Sequence, residues 1–421
     1  MREPLSIERG RLAMAGVDLA DLARRHGTPL FVYGGDAISR RAAALLGSLR
    51  GAVGVHYSLK ANPTIAIAAL MRRAGLGAEI ASSGELAAAR RAGFAPGDIL
   101  FAGPGKTDDE IGAAVSSGVA QLNAESEAEI ERIGVIADEL GITQRVGIRL
   151  NPPEPVEGGR IVTAGGAQKF GIDESRALQA LRLVEHHPSL ELGGIHTMLG
   201  SQVLDPRAML AHARRGIGLA RELGASLGRA IPALNLGGGL GAAHDDDEPF
   251  DLMAFGADLA ALVERDAPEG TRVVIEPGRA LLSDLGVYLT RVVDAKDSHG
   301  TRVVILDGGI HHALLPITAN RYCVVRAERM DADDGAALVG GPLCTSADRW
   351  RAEAPIAGAE IGEVIAMRNA GAYGLTAGMT MFLSRGVPAE VLLLDDREHV
   401  IRPRVEAADA LGTQWVPEGL A

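Results

Sequence analysis

The chain has 421 residues, 47% of them hydrophobic, with 54 glycines and a formal net charge of −12. That length exceeds one ordinary domain, and the acidic balance argues against a nucleic-acid partner, which needs clustered Lys and Arg. Two cysteines without CxxC spacing, Cys323 and Cys344, exclude a disulfide framework and give no metal-ligand set.

In chain order, the opening MREPLSIERGRLAMAG lacks the apolar stretch of a signal peptide, and no later run reaches about 18 apolar residues. The expected setting is therefore the cytoplasm, with no membrane partner. PLFVYGG reads as a strand. From about residue 52, short apolar strands alternate with helix-period segments. The strands are Val53–Leu59, Ala78–Ala81, Asp98–Ala102, Ala120–Asn123, Arg145–Leu150, Leu190–Met198, Ala233–Leu236 and Arg272–Glu276. Segments such as Ser126–Leu140 have helical periodicity between them. Eight such units predict an α/β fold, a closed parallel (β/α)8 barrel, with PLFVYGG leading towards it. After Arg279, runs such as VYLTRVVDAK and RVVILDGG predict a second, β-rich domain. The expected division is 28–279 for the barrel, with 1–27 and 280–421 forming the β-rich domain.

Barrel enzymes place their chemistry at the C-terminal ends of the strands. The first strand ends in HYSLKANP, with Lys60; the sixth runs into IHTMLGSQ, with His196, Gly200, Ser201 and Gln202. The seventh ends in LNLGGGLG, with Gly237, Gly238 and Gly239, and the eighth in IEPGRAL, with Glu276, Gly278 and Arg279. Singly these are ordinary features: a surface lysine, a flexible loop, a turn, a helix cap. Together, at one barrel end, they suit one small anionic heteroaromatic cofactor. A desolvated lysine forms a Schiff base with an aldehyde, and glycine backbone N–H groups wrap a phosphate, with Ser201 and Arg279 as further donors. A carboxylate opposite a pyridine nitrogen keeps it protonated, and Glu276 is placed to be that carboxylate.

The motifs HYSLKANP, GAEIASSGEL, KFGID, LNLGGGLG, IEPGRAL, GPLCTSAD and NAGAYGLT, in this order, resemble the fold-type III decarboxylases, the diaminopimelate and ornithine decarboxylase group. The resemblance spans nearly the whole chain. It implies an alanine-racemase-like barrel with a β-rich domain and pyridoxal 5'-phosphate bound at Lys60. It implies that Glu276 faces the pyridine nitrogen, while Gly237, Gly238, Gly239, Ser201, Arg279 and Tyr373 hold the phosphate. Glu79, Glu85 and Arg149 match positions that support the cofactor and its lysine. Cys344 matches a cysteine that reaches into a neighbouring subunit's site, so a homodimer with shared sites is implied.

Three departures bear on the substrate. Thr345 stands where the free-amino-acid enzymes carry an acidic residue for the distal ammonium. Leu315 stands where the diaminopimelate enzymes carry an arginine. Met198 stands where a histidine stacks on the cofactor ring, and alternation puts His196 on the same face. A substrate ammonium buried without a counter-charge costs several kcal/mol, which predicts a neutral, larger or conjugated distal group. The GPLCT and GAYGLT pairing also resembles decarboxylases from secondary-metabolite and exosortase-associated clusters, some acting on carrier-protein-tethered aminoacyl groups. The leading expectation is a decarboxylase in which Cys344 or Lys60 protonates the carbanion. The alternatives are turnover of free meso-diaminopimelate, with His312 or Arg321 rebuilding a charged pocket, an amino-acid racemase, and a non-catalytic paralogue.

Overall fold

The computed structural model of the chain describes every residue except 1–4, 155–158, 162–163, 199, 245–246, 319–322, 331–334 and 421. The chain forms two compact units, Ser39–Leu281 and a second built from Met1–Ile38 together with Leu282–Ala421.

The first unit is the barrel. Its strands are β1 (Val53–Ser58), β2 (Gly77–Ile80), β3 (Ile99–Phe101), β4 (Gln121–Ala124), β5 (Gln144–Asn151), β6 (Leu190–His196), β7 (Ala233–Asn235) and β8 (Arg272–Ile275). Each pairs in parallel with the next, and β8 pairs with β1, so the sheet closes. Helices such as Glu127–Glu139 and Pro206–Leu227 connect the strands. The sequence starts these helices on small polar caps. Ser82, Thr107, Ser126, Asp205 and Asp251 each accept a backbone N–H from the first turn, satisfying donors that the helix cannot.

Strand alternation explains the barrel's polar interior. On β4, Leu122 and Ala124 alternate with Gln121 and Asn123, and Gln121 Nε2 donates to Asn123 Oδ1 at 2.7 Å. A Cβ at Gly147, on the neighbouring strand β5, would collide with both amide side chains. Glycine is what lets two buried amides fit there.

The second unit is β-rich. Its main sheet runs in the order Arg349–Ala354, Ala337–Gly340, Thr301–Leu306, Gly286–Ser298, Leu30–Gly34, Ala389–Leu394, Arg397–Arg402. Val364–Met367 pairs with Gly286–Ser298 and with Val324–Arg326. An apolar core of Leu12, Met14, Leu19, Leu22, Val32, Val287, Leu289, Val391 and Leu393 holds this unit together. The PLFVYGG strand takes its hydrogen bonds here, antiparallel to Gly286–Leu289 and parallel to Ala389–Leu393. The division between units therefore falls after Ile38, later than the expected residue 28.

Candidate active site

Lys60 sits in a single turn, Leu59–Ala61, directly after β1. Its Nζ donates to Glu79 Oε2 at 2.7 Å, and Ser58 Oγ donates to the same oxygen at 2.5 Å. Glu79, on β2, is buried, whereas 47% of the Lys60 side chain is exposed. A fixed carboxylate thus orients a half-exposed lysine. Burial alone would raise the Glu79 carboxyl. The Lys60 charge and hydrogen bond, with Ser58 and Arg149, outweigh that and hold it below the usual carboxylate value.

Glu276 follows β8 and is also buried. Asn235, at the end of β7, donates from Nδ2 to Glu276 Oε1 at 2.6 Å. Burial, and then the neighbouring charge of Glu79, push the Glu276 carboxyl up to about 7, against the pull of Lys60, Asn235 and Arg149. His196 Nε2 lies 3.5 Å from Glu276 Oε2. That ring is buried, and neither nitrogen has a hydrogen-bond partner among the described residues. Burial, followed by the Arg149 and Lys60 charges, keeps it neutral. Arg149, on β5, donates to Glu125 Oε1 at 3.4 Å and lies 4.5 Å above the Phe170 ring.

The three glycines after β7 form a tight cradle. Asn235 Oδ1 accepts the Gly237 N–H at 2.8 Å. Gly237 and Gly239 hold φ of 68° and 92°, which side chains with a Cβ rarely adopt. A Cβ on Gly238 would overlap the Glu276 carbonyl, and one on Gly239 the Gly200 carbonyl. A Cβ on Gly237 would lie 2.7 Å from Met198 Sδ and 3.3 Å from His196 Nε2. Strand β6 ends at His196, so Met198 lies beyond it, yet both side chains lie beside Gly237. Gly278 fits against Ala61, and Pro277 O accepts the Ser58 N–H at 3.2 Å, locking the end of β8 to the lysine turn. Ser201 opens the short strand Ser201–Val203, and Arg279 opens the helix Arg279–Leu282.

The barrel places Lys60, Glu79, Arg149, His196, Met198, Gly237, Glu276 and Gly278 at the strand ends and the loops that follow them. Sequence reading missed Ser58, Glu125 and Asn235. Each occupies the same strand-end layer as the residues that were found, which was the available signal. The set fits a flat, anionic, aldehyde-bearing ring: an amine, a buried carboxyl with a neutral imidazole beside it, and glycine backbone that tolerates no side chain.

In the β-rich unit, Tyr373 is half-buried with φ of 55°. Cys344 is exposed and Thr345 half-buried, in the loop between Ala337–Gly340 and Arg349–Ala354. Leu315 is 43% exposed, on the helix Ile310–Thr318. His312 corrects an expectation. Its Nδ1 meets Tyr288 Oη at 2.8 Å and its Nε2 meets Gly386 O at 3.0 Å, and burial followed by His311 pushes it down to about 3. A buried, neutral, fully engaged ring offers no charge to a substrate. Arg321 lies outside the described residues.

A family model described as the pyridoxal-binding domain of pyridoxal-dependent decarboxylases matches residues 36–283. Diaminopimelate decarboxylase from Zymomonas mobilis subsp. mobilis is 34% identical over 99% of this chain and 100% of its own length. The L-glutamyl-(BtrI acyl-carrier protein) decarboxylase from Niallia circulans is 33% identical over 95% of this chain and 97% of its own. The crystal structure of diaminopimelate decarboxylase from M. jannaschii in co-complex with L-lysine matches with a TM-score of 0.91 at 28% identity, covering 100% of this chain and 99% of that one. With matches of this breadth, and a strand-end lysine, carboxyl and glycine cradle suited to the cofactor, the chain belongs to the pyridoxal-dependent decarboxylases and is a pyridoxal-phosphate-dependent amino-acid carboxy-lyase.

Proposed function

We propose that this enzyme removes the α-carboxylate of an amino acid whose far end is neutral or conjugated, such as an aminoacyl group tethered to a carrier protein. The observation that carries the reading is Leu315, an exposed apolar side chain at the position where the diaminopimelate pattern has an arginine. Thr345 supplies no charge in place of the family's acidic residue, and the neutral His312 supplies none either. A relative of similar identity is named for a carrier-bound glutamyl substrate, which supports the same class. The second reading, free diaminopimelate, draws on the relatives named for that substrate.

The bound cofactor supplies a conjugated electron sink for the pair left as carbon dioxide departs. Lys60 would hold it through the amine, with Glu79 setting the direction of Nζ. Glu276 would hold a proton at the pyridine nitrogen, because an ionised carboxylate opposite the ring favours the pyridinium. Backbone N–H groups of Gly237, Gly238 and Gly239, with Ser201, Arg279 and Tyr373, would hold the phosphate. Met198 would pack its thioether on the ring face, with the neutral His196 beside it. Cys344 would deliver the proton that replaces carbon dioxide, from the partner chain of a homodimer.

Leu315→Arg tests the substrate reading. Restoring the family's charge should raise kcat/KM on free diaminopimelate relative to an amidated analogue by tenfold or more. An unchanged ratio would show that Leu315 does not set the preference.

A further inference from the structure

Asp348 is buried and bridges two segments of the β-rich unit. Its Oδ1 accepts the N–H of Ile310 at 2.8 Å, at the start of the helix that carries Leu315. Its Oδ2 accepts the N–H of Leu343 at 3.0 Å, one residue before Cys344. The loop is then closed from the same residue, because the Gly341 N–H donates to Asp348 O at 2.9 Å and the Asp348 N–H to Thr345 O at 3.2 Å. Space is made for the carboxylate on both sides. A Cβ on Gly309 or on Gly341 would overlap its oxygens. Two glycines and two backbone donors, drawn from segments more than thirty residues apart, converge on one carboxylate.

We infer that Asp348 is a positioning residue that fixes the Cys344–Thr345 loop against the segment bearing Leu315, so that proton donor and distal pocket are held as one piece. A carboxylate is needed because both oxygens act as acceptors. An amide of the same shape would keep one bond and set an N–H against the other N–H. This inference rests on the reading of Cys344 as the proton donor.

The test uses the holoenzyme and three variants, Asp348→Asn, Gly341→Ala and the double variant, with Glu390→Gln as a control for loss of a buried carboxylate elsewhere in the unit. Two readouts are taken: kcat and KM on the best available substrate, and the rate of Cys344 alkylation by iodoacetamide, resolved from Cys323 by peptide mass spectrometry. Asp348→Asn should lower kcat at least tenfold and change Cys344 alkylation at least threefold. Gly341→Ala, which keeps the carboxylate but displaces it, should do the same, and the double variant should be no worse than either single one. Glu390→Gln should leave alkylation unchanged. If Asp348→Asn does not fold, Gly341→Ala carries both readouts. Wild-type alkylation and kcat in the folded variants, or additive losses in the double variant, would overturn the inference. Cys344→Ser separates the two claims. If it turns over normally, the reading of Cys344 has failed; if it is slow while Asp348→Asn is normal, the positioning role has failed.

Discussion

At the scale of single residues, the site depends on how two buried carboxyls are treated differently by their surroundings. Glu79 has an ammonium at 2.7 Å and stays ionised; Glu276 has an amide, a neutral imidazole and a nearby negative charge, and is raised to about 7. Because the folded protein binds the Glu276 proton more tightly than the unfolded chain, its contribution to stability is complete below about pH 4.5. It is lost as pH rises through about 7. In cofactor-free protein, urea unfolding of the wild type should therefore lose on the order of 3 kcal/mol across that window relative to Glu276→Gln. A difference that stays flat with pH would contradict the assignment. In the holoenzyme the same substitution should slow decarboxylation by about a hundredfold or more, since an amide holds no proton on a pyridine nitrogen. Single-turnover rates check this. Lys60→Ala should abolish turnover, and borohydride reduction of the wild type followed by peptide mapping should find the cofactor's carbon on Lys60. Label on another lysine would move the site.

At the scale of elements, the barrel was legible because its signals are local. Each of the eight strands was found within about two residues, since a short apolar run between helical segments carries its own boundaries. Lys60, the three glycines and Glu276 were legible as strand-end residues for the same reason, as each lies within a few residues of the end of a strand. The β-rich unit was legible as a unit, but the pairing of its strands was not. Leu30–Gly34 pairs with residues more than 250 and 350 positions away, and nothing within PLFVYGG records those partners. His312 was misread on the same grounds, because its partners Tyr288 and Gly386 lie 24 and 74 residues off. Asn235 was passed over because an amide at a strand end has no distinctive spacing, although it braces both Glu276 and Gly237. The cradle itself gives an element-scale prediction. Gly238→Ala forces a methyl group into the Glu276 carbonyl, so it should weaken pyridoxal phosphate binding about tenfold or more, or about 1.4 kcal/mol. Fluorescence titration of the cofactor-free protein measures it, and wild-type affinity would show that the loop does not hold the phosphate.

At the scale of the whole molecule, the proposed reaction needs two chains and a particular kind of substrate. If Cys344 serves the partner's site, mixing inactive Lys60→Ala chains with inactive Cys344→Ala chains should restore activity, because some heterodimers contain one intact site. No rescue, with subunit exchange confirmed by mass, would show that each chain works alone. The proposed substrate claim goes further, because it rests on the uncharged Leu315 and Thr345. A buried ion pair with one partner missing costs about 3–5 kcal/mol, or roughly two to four orders of magnitude in selectivity. With Leu315 and Thr345 in place of charged groups, a free distal ammonium or carboxylate would face part of that penalty in the proposed pocket, and an amide or thioester would not. The decisive measurement is kcat/KM for carbon dioxide release across free lysine, ornithine and diaminopimelate, their distally amidated forms, and a carrier-tethered aminoacyl substrate. The tethered or amidated substrates should lead by about a hundredfold or more; free diaminopimelate as the best substrate of the panel would contradict the proposed specificity.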